Sequence, residues 1–156
     1  MRRILPKAII FSLLAICFLA SAEKYYSSAQ TDASAGVLEV VRQFQSAAIR
    51  GDQATLNQTF DLNITHFHPG SPYRFVGRDR LVQEFEIASK KQQDMHFEMV
   101  EPQVQMAGRD AAVVTYYIVE DWTEKGGPRS AKEKATEVYV KKDGRWIMIH
   151  GHYSIE

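Results

Sequence analysis

TEVYVKKDGRWIMIHGHYS, residues 136–154, is the stretch whose reading decides the fold. Two runs rich in β-branched and aromatic residues flank Asp143-Gly144, a dipeptide suited to a two-residue hairpin turn because both central positions there need positive φ. The stretch predicts a long antiparallel hairpin. On its second arm His150 and His152 stand two residues apart, so they share one face of the strand. What that pair does depends on which face of which sheet it occupies.

Working back from the hairpin, residues 111–122 (AAVVTYYIVEDW) form a long apolar run on both faces, as expected for a strand covered on two sides. The Gly126-Gly127-Pro128 loop joins it to the first arm, and a Gly108-Arg109-Asp110 turn precedes it. Residues 95–107 predict another strand through Phe97, Met99, Val104 and Met106, with Pro102 marking a break or bulge. Upstream the period changes. Val37, Leu38, Val41, Phe44 and Ala48 recur at helical spacing and end at Gly51. Asp52 is placed to cap a short helix carrying Leu56 and Phe60. Two extended segments, residues 64–68 and 73–76, flank a Pro69-Gly70-Ser71-Pro72 turn, and a third helix is expected over residues 78–91 on Leu81, Val82, Phe85 and Ala88. Helices first and a strand meander afterwards predict α+β, with three helices packed on one face of a curved, mostly antiparallel sheet.

The N-terminal segment reads differently. Arg2, Arg3 and Lys7 precede an apolar run from Ala8 to Ala20 and an Ala20-Ser21-Ala22 site, the layout of a secretory signal peptide and too short for a comfortable membrane span. Cleavage after Ala22 is expected; retention as an anchor is the alternative, and bulky Ile16 before Cys17 argues against lipid attachment. Residues 23–35 are small and polar, a flexible leader to a domain over residues 36–156. Cleavage leaves 16 basic against 19 acidic residues, a net charge of −3, and no cysteine. An exported domain without disulfides must rest on its core. Without a basic cluster, nucleic acid is not an expected partner, nor is a membrane once the signal is removed.

The element order, with THFHPG at 65–70, GGPRSA at 126–131, TEVYVKKDGRW at 136–146 and IHGHYS at 149–154, resembles the cone-shaped fold of the nuclear transport factor 2 superfamily, which includes ketosteroid isomerase-like and SnoaL-like domains. Within it the chain is most similar to the association (hub) domain of calcium/calmodulin-dependent protein kinase II. The sequence holds no glycine-rich phosphate loop and no HRD or DFG, so the resemblance implies no kinase activity. It does imply that three inward arginines of such hubs fall on Ile118, Glu137 and Tyr153, none of them basic here. An anion site is thereby replaced by an apolar, phenolic and acidic wall.

With Tyr153 inward, Ile149 and Gly151 are expected inward and His150 and His152 outward. Trp146, Met148, His150 and His152 are then candidates for a subunit interface. The histidine pair is open to three readings, packing, metal binding or a pH-dependent contact; no third ligand is evident, so no metal is expected. His66 and His68 share a face, and the resemblance places His68 where ketosteroid isomerases carry their general base. It is the single candidate catalytic residue, the alternative being a histidine satisfied at a pocket mouth. His66, Tyr116, Ile118, Glu137, Tyr139 and Tyr153 are the candidate pocket residues, with Glu137 expected to have a raised pKa unless it pairs, with Arg129 or His68 as candidates, or to be solvated on a frayed strand.

Two functions fit. One is an exported, periplasmic or extracellular, non-catalytic domain that forms a homodimer or larger homo-oligomer and holds an unknown small organic molecule without a cofactor. The other is a cofactor-free acid–base enzyme, an isomerase, dehydratase or cyclase, with His68 as base opposite Tyr116 or Tyr153. The first needs fewer matched residues and is preferred.

Overall fold

The computed structural model describes residues 30–156, so the signal segment 1–22 and residues 23–29 of the expected leader lie outside the described residues. The chain divides into two compact units, Met1–Ala33 and Ser34–Glu156, and the second carries the fold. Its first helix, α1, occupies residues 34–50; residues 30–33 are helical too, so the end of the expected leader is ordered backbone. Val37, Val41, Phe44 and Ala47 form the buried stripe of α1. Gly51 ends the helix at φ 65°, a left-handed conformation that glycine adopts without penalty. There the Asp52 N–H donates to the Ala47 carbonyl at 2.9 Å.

The Asp52 side chain then caps α2, Gln53–Thr59, by accepting from the Thr55 N–H at 3.1 Å. Phe60, expected on this helix, instead opens strand β1, Phe60–Phe67. Its extended backbone turns the ring into a cluster with Phe44 of α1, at 5.4 Å between centroids, and with Phe85, at 5.9 Å. Burial of that ring overrides the helical period. The two-residue strand β2, Phe75–Val76, and α3, Arg78–Lys91, follow. Leu81 and Val82 are buried in α3, as its apolar spacing predicts.

Four long strands complete the unit: β3 Gln93–Met106, β4 Ala111–Glu124, β5 Gly127–Lys142 and β6 Arg145–Ile155. The sheet order is β2-β1-β6-β5-β4-β3. Among the described residues only the β1–β6 pairing is parallel. Asp143 and Gly144 both have positive φ, as the hairpin turn requires. Near Pro102 the β3–β4 register shifts between Val100 and Gln103, and Glu101 has φ 52°. This is the bulge that proline implies.

A second bulge is invisible in the sequence. In the β5–β6 pair Val138 faces His150 but Tyr139 faces Met148, so Ile149 is an extra residue. An inserted residue reverses the alternation on either side of it. Tyr153, Gly151, Met148 and Trp146 therefore lie on the helix-facing side, and His150 and His152 on the outer side. The expected grouping of Trp146 and Met148 with the two histidines does not hold: Met148 is fully buried opposite Tyr139, and the Trp146 ring lies beside Gly36 of α1. Ile149, expected inward, is the bulge residue itself.

The chain turn at Gly51 admits a direct test. A Cβ there would lie 2.4 Å from Ser89 Oγ and would be held at positive φ. Gly51→Ala is expected to lower the unfolding free energy by about 1–2 kcal/mol in urea titration. Adding Ser89→Ala should recover only the steric part. An unchanged midpoint in Gly51→Ala would contradict this role for the turn.

Candidate functional site

On the inner face of the sheet, register brings Tyr116 of β4, Glu137 and Tyr139 of β5, and Tyr153 of β6 together. Glu137 has 0% exposure. A carboxylate removed from water must be given donors or lose its charge. Glu137 receives three. The Tyr116 hydroxyl donates to Oε1 at 2.7 Å, Tyr139 donates to Oε2 at 2.8 Å, and Tyr153 donates to Oε1. From α1, Gln45 Nε2 donates in turn to the Tyr116 oxygen. Burial pushes the Glu137 carboxyl above its usual range, and the three tyrosine hydroxyls oppose that rise without cancelling it. The same burial, with Glu137 beside them, holds all three phenols protonated.

These tyrosines therefore spend their hydroxyls on a protein carboxylate instead of presenting them to a ligand. Neither Arg129 nor His68 pairs with Glu137, because the phenols occupy both carboxylate oxygens. Ile118 is buried beside this cluster as apolar core. Gln45 was not among the residues expected to matter; its signal is a polar side chain at i+4 from Val41, inside the apolar stripe of α1. Further along the inner face Glu120 is pushed up to about 7 by burial and by Glu133, which burial also raises.

Open space lies elsewhere. A cavity of about 410 Å³ sits between α3 and the β1–β2 hairpin, lined by His66, His68, Phe75, Arg80, Leu81 and Phe85 among others. Of the expected pocket residues only His66, with the candidate base His68, lines it. His66 is 1% exposed, and neither ring nitrogen has a hydrogen-bond partner among the described residues. Its ring stacks on Tyr153 at 4.9 Å and meets Phe85 edge-on at 6.1 Å. Desolvation lowers its pKa to about 3, so it is neutral at physiological pH. This placement needs Gly151, its parallel partner on β6, since a Cβ there would come within 2.5 Å of His66 Cδ2. The glycine of HGH thus makes room for a histidine on another strand.

At the cavity mouth His68 Nδ1 accepts from the Gly70 N–H at 3.1 Å. A neutral imidazole has one acceptor nitrogen, so this bond assigns the proton to Nε2. Burial lowers its pKa, against a raising effect of Glu84. Neither Tyr116 nor Tyr153 lines this cavity. The acid–base pair of the enzymatic reading is not assembled.

On the outer face one cross-strand row runs Val76, Thr65, His150, Val138, Val113 and Gln105, and the next contains Phe67, His152, Thr136 and Thr115. Thr65 Oγ1 and His150 Nδ1 are hydrogen-bonded at 2.8 Å, and the Phe67 ring lies 5.4 Å from His152. Phe67, Tyr117 and Val76 are 41%, 44% and 54% exposed. The outer side of β4, expected to be covered, is open in the single chain. Among the described residues no group of three or more His, Cys, Asp or Glu side chains is placed to hold a metal.

With the geometry defined, comparison with known proteins is informative. The family model for the calcium/calmodulin dependent protein kinase II association domain matches residues 33–156. Subunit delta of calcium/calmodulin-dependent protein kinase type II from Oryctolagus cuniculus is 29% identical over 121 residues, which are 76% of this chain and 23% of that protein. The chain thus spans less than a quarter of that relative. The calcium/calmodulin-dependent protein kinase II hub of S. rosetta superposes with a TM-score of 0.69 at 27% identity, covering 79% of this chain and 96% of the hub. A nuclear transport factor 2-like superfamily protein from Salmonella enterica gives a TM-score of 0.74 at 16% identity, covering 81% and 92% of the two chains. That likeness concerns the fold alone, the cone-shaped arrangement of three helices on an open, mostly antiparallel sheet.

The buried imidazole predicts a signature in stability. Below pH about 6.5 the unfolded chain binds a proton at His66 that the folded chain does not, so this residue costs stability as pH falls toward 3. His66→Phe removes that cost, whereas the raised carboxylates contribute equally to both proteins. The difference in unfolding free energy between wild type and variant should therefore change by about 1.4 kcal/mol per pH unit between pH 6.5 and 4, always against the wild type. A pH-independent difference would mean that His66 is hydrated in the folded chain.

Proposed function

Because the chain belongs to the calcium/calmodulin-dependent protein kinase II association-domain family, we propose that it is an exported, non-catalytic domain that forms a homo-oligomer and holds a small organic molecule. The observation that carries this reading is the open outer face of the sheet, where Phe67 and Val76 expose apolar surface beside His150 and His152 and Tyr117 is exposed two strands away on β4. Large apolar side chains exposed on one sheet face favour contact with another protein surface over contact with water. A second copy of the chain is the partner that the names association domain and hub suggest by analogy. His150 and His152 contribute to that contact as packing groups, and Trp146 and Met148 stiffen the sheet from its other side.

The small molecule is assigned to the cavity beside α3, since the centre of the inner face is filled by the hydrogen-bonded tyrosines and Glu137. Catalysis is disfavoured by the proton arrangement of His68, whose acceptor nitrogen is engaged by Gly70. Export is assigned from the charged start, apolar run and Ala20-Ser21-Ala22 site of the sequence.

Native mass spectrometry of protein recovered from the export fraction tests these points together. The expected species is a dimer or larger assembly of chains beginning at Glu23, and Phe67→Asp with Tyr117→Asp should convert it to monomer without unfolding. A concentration-independent wild-type monomer would refute the assembly reading. Chains beginning at Met1 would refute signal cleavage.

A further inference from the structure

We infer that two copies of the chain pack their outer sheet faces together about a two-fold axis that runs parallel to the strands between β5 and β6. Phe67 of each copy then enters a hollow beside Tyr117 of the other, and Arg74 of each meets Glu101 of the other. This deepens the assembly reading above and rests on it, while requiring nothing of the cavity beside α3. The outer face carries its exposed groups unevenly. At one end Phe67 of β1 and Val76 of β2 are exposed. Arg74 is exposed there too, and buried Phe75 between it and Val76 puts both on the outer side. Toward the other end Tyr117 of β4 is exposed, and beyond it Glu98 and Glu101 of β3. Among the described residues none of Arg74, Glu101, Lys132 and Glu156 takes part in an ion pair.

The hollow, of about 370 Å³, is lined by Glu101, Gln103, Thr115, Tyr117, Lys134 and Thr136 among others. Thr115 stands in one cross-strand row with Gln103, Thr136, His152 and Phe67. The sheet order β2-β1-β6-β5-β4-β3 has its midline between β6 and β5, with β1 and β4 equally far from it and β2 and β3 outermost. Sheets packed face to face keep their strands nearly aligned. A two-fold axis along the midline therefore leaves each row at its own height and exchanges the two ends.

β4 of one copy then lies over β1 of the other, and β3 over β2. Phe67 comes over Thr115, inside the hollow and next to Tyr117, and Arg74 comes over Glu101. Tyr117, two strands from Phe67 within one chain, thus joins it in a single apolar contact. The Glu156 N–H donates to the Lys132 carbonyl at 3.0 Å, so these residues flank the midline and the axis sets each against the other's counterpart. An isologous contact must be self-complementary. An axis perpendicular to the strands would lay β3 over β3, carboxylates toward carboxylates, and repulsion opposes that arrangement. An axis along β4 would leave Phe67 uncovered. The order of charge and apolar groups across the face selects the midline.

Charge reversal tests the contact in protein recovered from the export fraction, with the dimer dissociation constant measured by sedimentation. Arg74→Glu and Glu101→Arg should each weaken association by about tenfold or more, because each brings like charges together at two symmetry-related places. An equimolar mixture of the two variants should regain the wild-type affinity, since every such contact in the mixed pair again joins opposite charges. In a Cys17→Ser background, Phe67→Cys with Thr115→Cys should give disulfide-linked pairs in air, whereas Thr115→Cys alone should not. Linkage through Thr115→Cys alone would move the axis to β4 and overturn the proposal. A wild-type dimer that neither charge reversal weakens would also overturn it while leaving the assembly reading standing. A wild-type monomer would overturn both.

Discussion

A fully buried carboxylate on a sheet needs donors arranged around it, and Glu137 obtains three phenols from three adjacent strands. Those strands must be in one register for the three hydroxyls to converge. The β5–β6 bulge at Ile149 belongs to that requirement, because it keeps Tyr153 on the inner face while Met148 stays opposite Tyr139. Gln45 extends the cluster to α1 and so fixes the helix layer against the sheet. The far side of Tyr153 is the floor on which His66 stacks. The carboxylate thus shapes a cavity that it does not line.

The division of the molecule into a sealed centre, a cavity beside α3 and an open outer face also orders its chemistry. On the inner side desolvation holds His66 neutral and burial next to Glu137 holds the phenols protonated, while Glu120 further along is pushed up to about 7. Such a lining suits binding through hydrogen bonds and shape. The exposed outer face and the cavity beside α3 lie on opposite sides of one sheet, so substitutions in one need not disturb the other.

Much of the fold was legible in the sequence. The Asp143-Gly144 turn, the Asp52 cap, the bulge at Pro102 and the helix ending at Lys91 each rest on residues with a strong local preference. The bulge at Ile149 has no such mark: β-branched residues suit any strand position, and only pairing with Tyr139 exposes the extra residue. That is why Trp146 and Met148 were placed on the wrong face, while Tyr153 and the histidines after the bulge were placed correctly. Phe60 was lost to the helix because its period fits both elements and tertiary contact decided. In the site, the resemblance places Glu137 and Tyr153 inward and alternation adds Tyr116 and Tyr139, but their mutual satisfaction could not be read, since it depends on cross-strand register. The partnership of His66 with Gly151 joins residues 85 positions apart and carries no local signal.

The central claim is that Glu137 is buried among phenols, and its own titration is the most direct measure. The Glu137 side-chain carboxyl carbon can be followed by 13C NMR from pH 3 to 9 in the folded protein. Burial should move the midpoint above the ordinary glutamate value of about 4.3, with the hydroxyl protons of Tyr116, Tyr139 and Tyr153 slow enough in exchange to be observed. A midpoint at the ordinary value, with tyrosine hydroxyl protons exchanging too fast to be observed, would contradict it, placing the carboxylate in water and leaving the centre of the inner face open.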